Sequence, residues 1–130
     1  MKKPIPLFGD GVACGFPSPA QDYVEKRLSI DDFCIRYPES TYLLRAEGES
    51  MIDAGICDGD LLVVESFAAP QHDDIVIAAI DGEFTCKRLQ LVPFPALQPA
   101  NVAYRTIPLT DDVDTVVFGV VRHCVHSFRG

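Results

Sequence analysis

Three features of the chain have the chemistry to cut a peptide bond within the same kind of polypeptide. The first is Ser50 in Gly48-Glu49-Ser50-Met51, which follows the apolar run Tyr42-Leu43-Leu44 and precedes Ile52-Asp53-Ala54-Gly55-Ile56. A turn just beyond a strand can present such a hydroxyl outward. The second is Lys87, on a run of largely uncharged residues, where burial can leave an amine neutral enough to act as a base. The third is the bond between Cys14 and Gly15, in a segment of small residues suited to a narrow groove. A base that takes the serine proton can return it to the leaving amine, and backbone N–H groups at the serine turn can hold the oxyanion. Both side chains also have plainer readings. Serine is common in turns, and a strand lysine often runs its stem along an edge to water.

Positioning these groups falls mainly to strands. Residues 41–46, 60–66, 74–80, 83–91 and 113–126 are rich in Val, Ile, Leu, Phe and Thr. Asp81-Gly82 separates two of these runs by two residues, a strong hairpin signal. That loop pairs residue 80 with 83 and residue 76 with 87, so Thr85, Lys87 and Leu89 share one face. Phe84, Cys86 and Arg88 take the other face. An arginine cannot practically give up its proton, so Lys87 is the better base, and Thr85 is placed to orient its amine. Asp58-Gly59 reads as a turn, and the proline-rich stretch from Pro93 to Pro108 as a loop or irregular edge.

Ahead of the strands, residues 1–17 read as an arm without regular structure, followed by a β-rich domain over 18–130. Ser18-Pro19-Ala20-Gln21 has the features of a helix start, with the helix running to about Leu28. Ser29 with Asp32 opens a second short helix through Phe33 and Ile35, closed by Pro38. The expected fold is mainly β: a curled antiparallel domain with a flexible N-terminal arm and one or two short helices.

Composition narrows the function. The 130 residues carry 11 Lys plus Arg against 19 Asp plus Glu, a net charge of −8. Direct DNA binding needs cation-rich surface, so the expected partner is protein. No apolar run approaches the roughly 18 residues of a membrane span, and the start lacks a signal-peptide apolar core. Cysteines 14, 34, 57, 86 and 124 are odd in number with no C-x-x-C pair, which suits a reducing cytoplasm. On a strand, only Cys124 and His126 of His123-Cys124-Val125-His126 share a face, and no third ligand is spaced nearby, so no metal site is expected. No cofactor is expected either. Asp111-Asp112-Val113-Asp114 reads as a solvated turn.

Gly48-Glu49-Ser50-Met51, Asp58-Gly59-Asp60 and Asp81-Gly82-Glu83-Phe84-Thr85-Cys86-Lys87 together resemble the LexA-type self-cleaving serine peptidases. The arm, Cys14-Gly15-Phe16-Pro17-Ser18-Pro19 followed by Asp22-Tyr23-Val24-Glu25, is similar to the UmuD-like group among them. The resemblance implies Ser50 as nucleophile, Lys87 as base and Cys14-Gly15 as the bond cut. It implies a homodimer whose cleavage is stimulated by RecA filaments on single-stranded DNA. The shortened dimer would then join a UmuC-like polymerase in error-prone translesion synthesis. An alternative on the same fold is a non-catalytic interaction module that regulates a polymerase without cleavage. A repressor would need a two-helix DNA-binding unit before the bond, and the 14 residues there do not suffice.

Overall fold

A computed structural model describes residues 4–9, 11, 12, 14, 24–110 and 114–129. The chain divides into two units, Met1–Arg36 and Tyr37–Gly130.

In the first unit, β1 (Ile5–Phe8) pairs antiparallel with β2 (Val24–Leu28), Ile5 opposite Leu28 and Leu7 opposite Lys26. This departs from the sequence expectation at two points. The segment around Pro4 and Pro6 is partly a strand, and the expected helix end at 24–28 is extended. A helix of that length with a narrow apolar face is marginal alone, and pairing with β1 satisfies the backbone of Val24–Leu28 instead. Its expected start, Ser18 to Tyr23, lies outside the described residues, as do Gly15 and the expected arm boundary at residue 17. The second helix forms as expected: α1 (Ile30–Cys34) begins after Ser29, whose side chain accepts from the Asp32 amide.

The second unit is a seven-stranded antiparallel sheet. Its strands are β3 (Thr41–Arg45), β4 (Leu61–Glu65), β5 (Ile75–Ile80), β6 (Glu83–Gln90), β7 (Ala96–Gln98), β8 (Ile107–Pro108) and β9 (Thr115–Val125). Their spatial order is β3-β4-β9-β5-β6-β7-β8. The five long strands follow the expected runs, while residue 113 lies outside the described residues. The proline-rich stretch also contributes the short strands β7 and β8, with Ala96 and Leu97 fully buried.

The hairpin between β5 and β6 forms with the expected register: Ile80 opposite Glu83 and Val76 opposite Lys87. Asp81 and Gly82 both have positive φ, 50° and 86°. Two left-handed residues make the turn whose twist matches a two-stranded ribbon. Strand β5 is covered on both faces. Ile77 packs with Leu62, Val64, Met51 and Ile56, whereas Val76 and Ala78 pack with Leu89, Leu97 and Val120. The pairings of β9 shift register between Val63 and Val64 on β4, and between Ile77 and Ala78 on β5. Such bulges sharpen local twist and help curl the sheet.

Gly119, beside the second of these shifts, sits against its neighbours with no room for a side chain. A Cβ there would lie 2.6 Å from Val64 Cγ1 and 2.9 Å from the Glu65 carbonyl oxygen. Gly119→Ala is expected to destabilise the fold by about 1–3 kcal/mol, the usual cost of overpacking a core. Urea unfolding would show this as a lower midpoint at unchanged slope, and an unchanged midpoint would contradict the close approach.

Candidate active site

Ser50 is carried by a turn fixed from several sides. Gly48 takes the left-handed conformation at φ 83°, and its N–H donates to Asp58 Oδ1 at 2.7 Å. A residue with a Cβ would be strained there. The Ser50 carbonyl accepts from the Ala100 amide at 2.7 Å, and Asn101 Nδ2 donates to the Glu49 carbonyl at 2.9 Å. Met51, only 3% exposed, anchors the turn in the core beside Ile56, Leu62 and Ile77. A single 3₁₀ turn, Ile52–Ala54, follows and ends at Gly55 with φ 89°. The Ser50 hydroxyl is thus held between a buried side chain and a clamped carbonyl.

Lys87 meets it from β6. The residue is 9% exposed, and its Nζ lies 3.0 Å from Ser50 Oγ. The same nitrogen donates to Thr85 Oγ1 at 2.8 Å and to the Cys86 carbonyl at 3.2 Å. Thr85 and Lys87 share a face as the hairpin register requires. Burial lowers the Lys87 pKa below its ordinary value of 10.5, and the neighbouring Cys86 thiol opposes this to a lesser degree. Burial likewise pushes the Cys86 thiol up to about 11, against the pull of the lysine charge.

The hydrogen-bond count suits either charge state of the amine. A neutral amine has two N–H groups and one lone pair. Thr85 Oγ1 and the Cys86 carbonyl can take the two N–H groups, leaving the lone pair for the Ser50 hydroxyl proton. An ammonium has three N–H groups, and the same three oxygens can accept them. The serine and lysine border a cleft of about 680 Å³ whose lining includes Tyr42, Leu44, Ile77 and Tyr104. Phe84 and Phe118 also line it, their ring centroids 5.1 Å apart. A mostly apolar cleft with polar groups among its walls is a usual form of ligand-binding site.

Of the residues singled out from the sequence, Ser50, Lys87 and Thr85 therefore converge. Cys14 is exposed, while Gly15, on the other side of its bond, lies outside the described residues. Asp111, Asp112 and Val113 also lie outside them. Ala100 and Asn101, which clamp the serine turn, carried no signal in sequence because their partners are about fifty residues away. The strand motif ending at His126 gains neighbours that spacing alone did not supply. Leu61 pairs with Val125, so Asp60 and His126 come side by side, and Cys57 follows through the turn.

The curled antiparallel sheet thus brings a serine hydroxyl and a buried lysine amine into hydrogen-bond contact at the edge of a cleft. Residues 6–122 match the family model described as Peptidase S24-like, and the chain belongs to this family of LexA-type serine peptidases, among its UmuD-like members. It is 52% identical over 124 residues to Protein ImpA of Escherichia coli, covering 95% of this chain and 85% of ImpA. It is 43% identical over 120 residues to Protein MucA of Escherichia coli, covering 92% and 82% respectively. The LexA repressor of Alcanivorax borkumensis is 38% identical over 122 residues, covering 91% of this chain and 59% of the repressor. These relatives support an SOS-related, self-cleaving peptidase family. Among the described residues no helix is long and apolar enough to cross a membrane.

The position of Cys86 gives a chemical check on the site. With its pKa near 11, about one thiol in a thousand is ionised at pH 8. Since the thiolate is the reactive form, Cys86 should alkylate with iodoacetamide far more slowly than exposed Cys14. Peptide mass analysis of briefly treated native protein would show this, and equal labelling of the two would contradict the burial of the lysine strand.

Proposed function

We propose that the chain is a serine endopeptidase that cuts its own Cys14-Gly15 bond, with Ser50 as nucleophile and Lys87 as general base. The observation that carries this reading is the 3.0 Å approach of a desolvated lysine amine to a serine hydroxyl. Ser50 Oγ attacks the Cys14 carbonyl carbon while the Lys87 lone pair takes the hydroxyl proton. The oxyanion that forms is stabilised by the amides of Ser50 and Met51, which hydrogen-bond to no backbone carbonyl among the described residues. Lys87 then gives its proton to the Gly15 nitrogen, the C–N bond breaks, and Cys14 remains as an ester on Ser50. Water, deprotonated by Lys87, attacks the ester. The products are a Cys14 carboxylate, a free Gly15 amine and a regenerated serine.

Thr85 and the Cys86 carbonyl orient the amine so that its lone pair faces the serine. The wider reading, supported by the kinship with ImpA and MucA, is of a cytoplasmic homodimer. A RecA filament on single-stranded DNA favours the conformer in which the bond enters the cleft. The 15–130 dimer then serves a UmuC-like DNA polymerase in SOS mutagenesis. The net charge of −8 fits protein partners better than direct contact with DNA.

The sign of the pH effect follows from the buried amine. The competent form is neutral, so the rate should climb as pH rises toward the Lys87 pKa and level off below the ordinary 10.5, because burial lowers that value. Ser50→Ala and Lys87→Ala should each slow formation of the 15–130 product by at least about a thousandfold. Lys87→Arg should do the same, since guanidinium stays charged. Intact-mass measurement of cleavage over a pH series, with and without RecA, nucleotide and single-stranded DNA, tests all of these. A flat pH profile, or full activity in Lys87→Arg, would remove Lys87 from the role of base.

A further inference from the structure

A second cluster of reactive side chains lies at the junction of β4 and β9. Cys57, Asp60 and His126 each offer one ligand atom, and the three atoms lie within 4.8 Å of one another. We infer that these three residues form a binding site for a divalent cation of the zinc type.

The donor chemistry argues for that class. A thiol, an imidazole and a carboxylate together suit zinc or a similar transition ion, whereas calcium and magnesium require oxygen donors throughout. Zinc bonds of about 2.0–2.3 Å in tetrahedral geometry hold their donors roughly 3.3–3.8 Å apart. The present separations bracket this range, from the 2.5 Å between His126 Nδ1 and Asp60 Oδ1 up to the 4.8 Å limit of the group. Small side-chain rotations suffice to admit an ion. On binding, the Cys57 thiol releases its proton to solvent. The proton held between His126 Nδ1 and Asp60 Oδ1 leaves Nδ1, with the neutral ring keeping its N–H at Nε2, and the freed lone pairs of both groups turn to the metal. One thiolate and one carboxylate then neutralise the two positive charges.

The scaffold is already set. The Asp60 residue is 2% exposed, and its Oδ2 accepts from the Cys57 amide at 2.8 Å. The His126 ring meets Phe128 edge to face, with centroids 5.1 Å apart. Cys57 is half-buried and His126 exposed, so an ion can reach the site from solvent. Three protein ligands leave one tetrahedral position for water. The Cys124 thiol is directed to the Gly55 carbonyl at 3.7 Å and stands outside the ligand set. An ion here would tie the end of β9 to the turn whose Asp58 holds Gly48, and so stiffen the approach to Ser50.

The test is cobalt titration of the metal-stripped, phosphine-reduced full chain, followed by absorption spectroscopy. One equivalent of Co²⁺ should give the visible bands of a tetrahedral site and a sulfur-to-cobalt charge-transfer band, both abolished by equimolar Zn²⁺. Cys57→Ser should remove the charge-transfer band, and His126→Ala should weaken binding at least about tenfold. Cys14→Ser, Cys34→Ser and Cys124→Ser should leave the spectrum unchanged. Zn²⁺ should also raise the thermal midpoint of the wild type but not of His126→Ala. Metal-free melting establishes that each variant is folded, and His126→Gln replaces His126→Ala if that variant is not. Absence of the cobalt bands, their survival in Cys57→Ser, or their loss in Cys124→Ser would overturn the assignment.

Discussion

An amine withdrawn from water needs acceptors for its N–H groups and holds its proton less firmly, and Lys87 is placed where both apply. Burial disfavours the ammonium, while Thr85 Oγ1 and the Cys86 carbonyl keep the nitrogen satisfied and fix its direction. The surrounding structure serves this condition. Strand alternation puts Thr85 and Lys87 on one face, and the hairpin turn sets them opposite Ala78 and Val76. Lys87 lies opposite Val76 of β5, and its amine reaches the clamped serine turn. A more exposed lysine would keep its ordinary hold on the proton, and a deeper one without acceptors would cost the fold more than it could recover.

The serine side of the pair meets a different requirement. The proposed role of Ser50 as nucleophile needs a hydroxyl whose position is fixed yet accessible, and turns are ordinarily mobile. Here the mobility is removed by three unlike devices: a left-handed glycine held by a carboxylate, a methionine buried in the core, and a carbonyl clamped by Ala100. Each comes from a separate part of the chain. The irregular segment between β7 and β8, which reads as an edge of little consequence, supplies the clamp.

The sequence made the strands, the hairpin and its register legible because each is specified locally. Alternating apolar residues fix the faces, and Asp81-Gly82 fixes the loop length. Ser50, Lys87 and Thr85 were legible for the same reason, with family resemblance choosing among their readings. Val24–Leu28 was not, because a short amphipathic stretch has no strong local preference and its conformation is decided by the strand that pairs with it. The Cys57, Asp60 and His126 group was hidden in another way. Those residues meet only through the register of β4 and β9, a pairing that spacing along the chain does not reveal.

The two-residue hairpin has a consequence for how this chain can change length. Additions at the tip between Ile80 and Glu83 can loop outward and leave the ladder intact. An added residue between Glu83 and Lys87 has no such outlet. It must either form a bulge or carry the lysine to the opposite face of the sheet, and two added residues would shift it by roughly 7 Å along the strand. Insertions and deletions should therefore be absorbed at the tip and rejected over the next five positions, even though that segment includes exposed Phe84 and shows only part of its surface to the core.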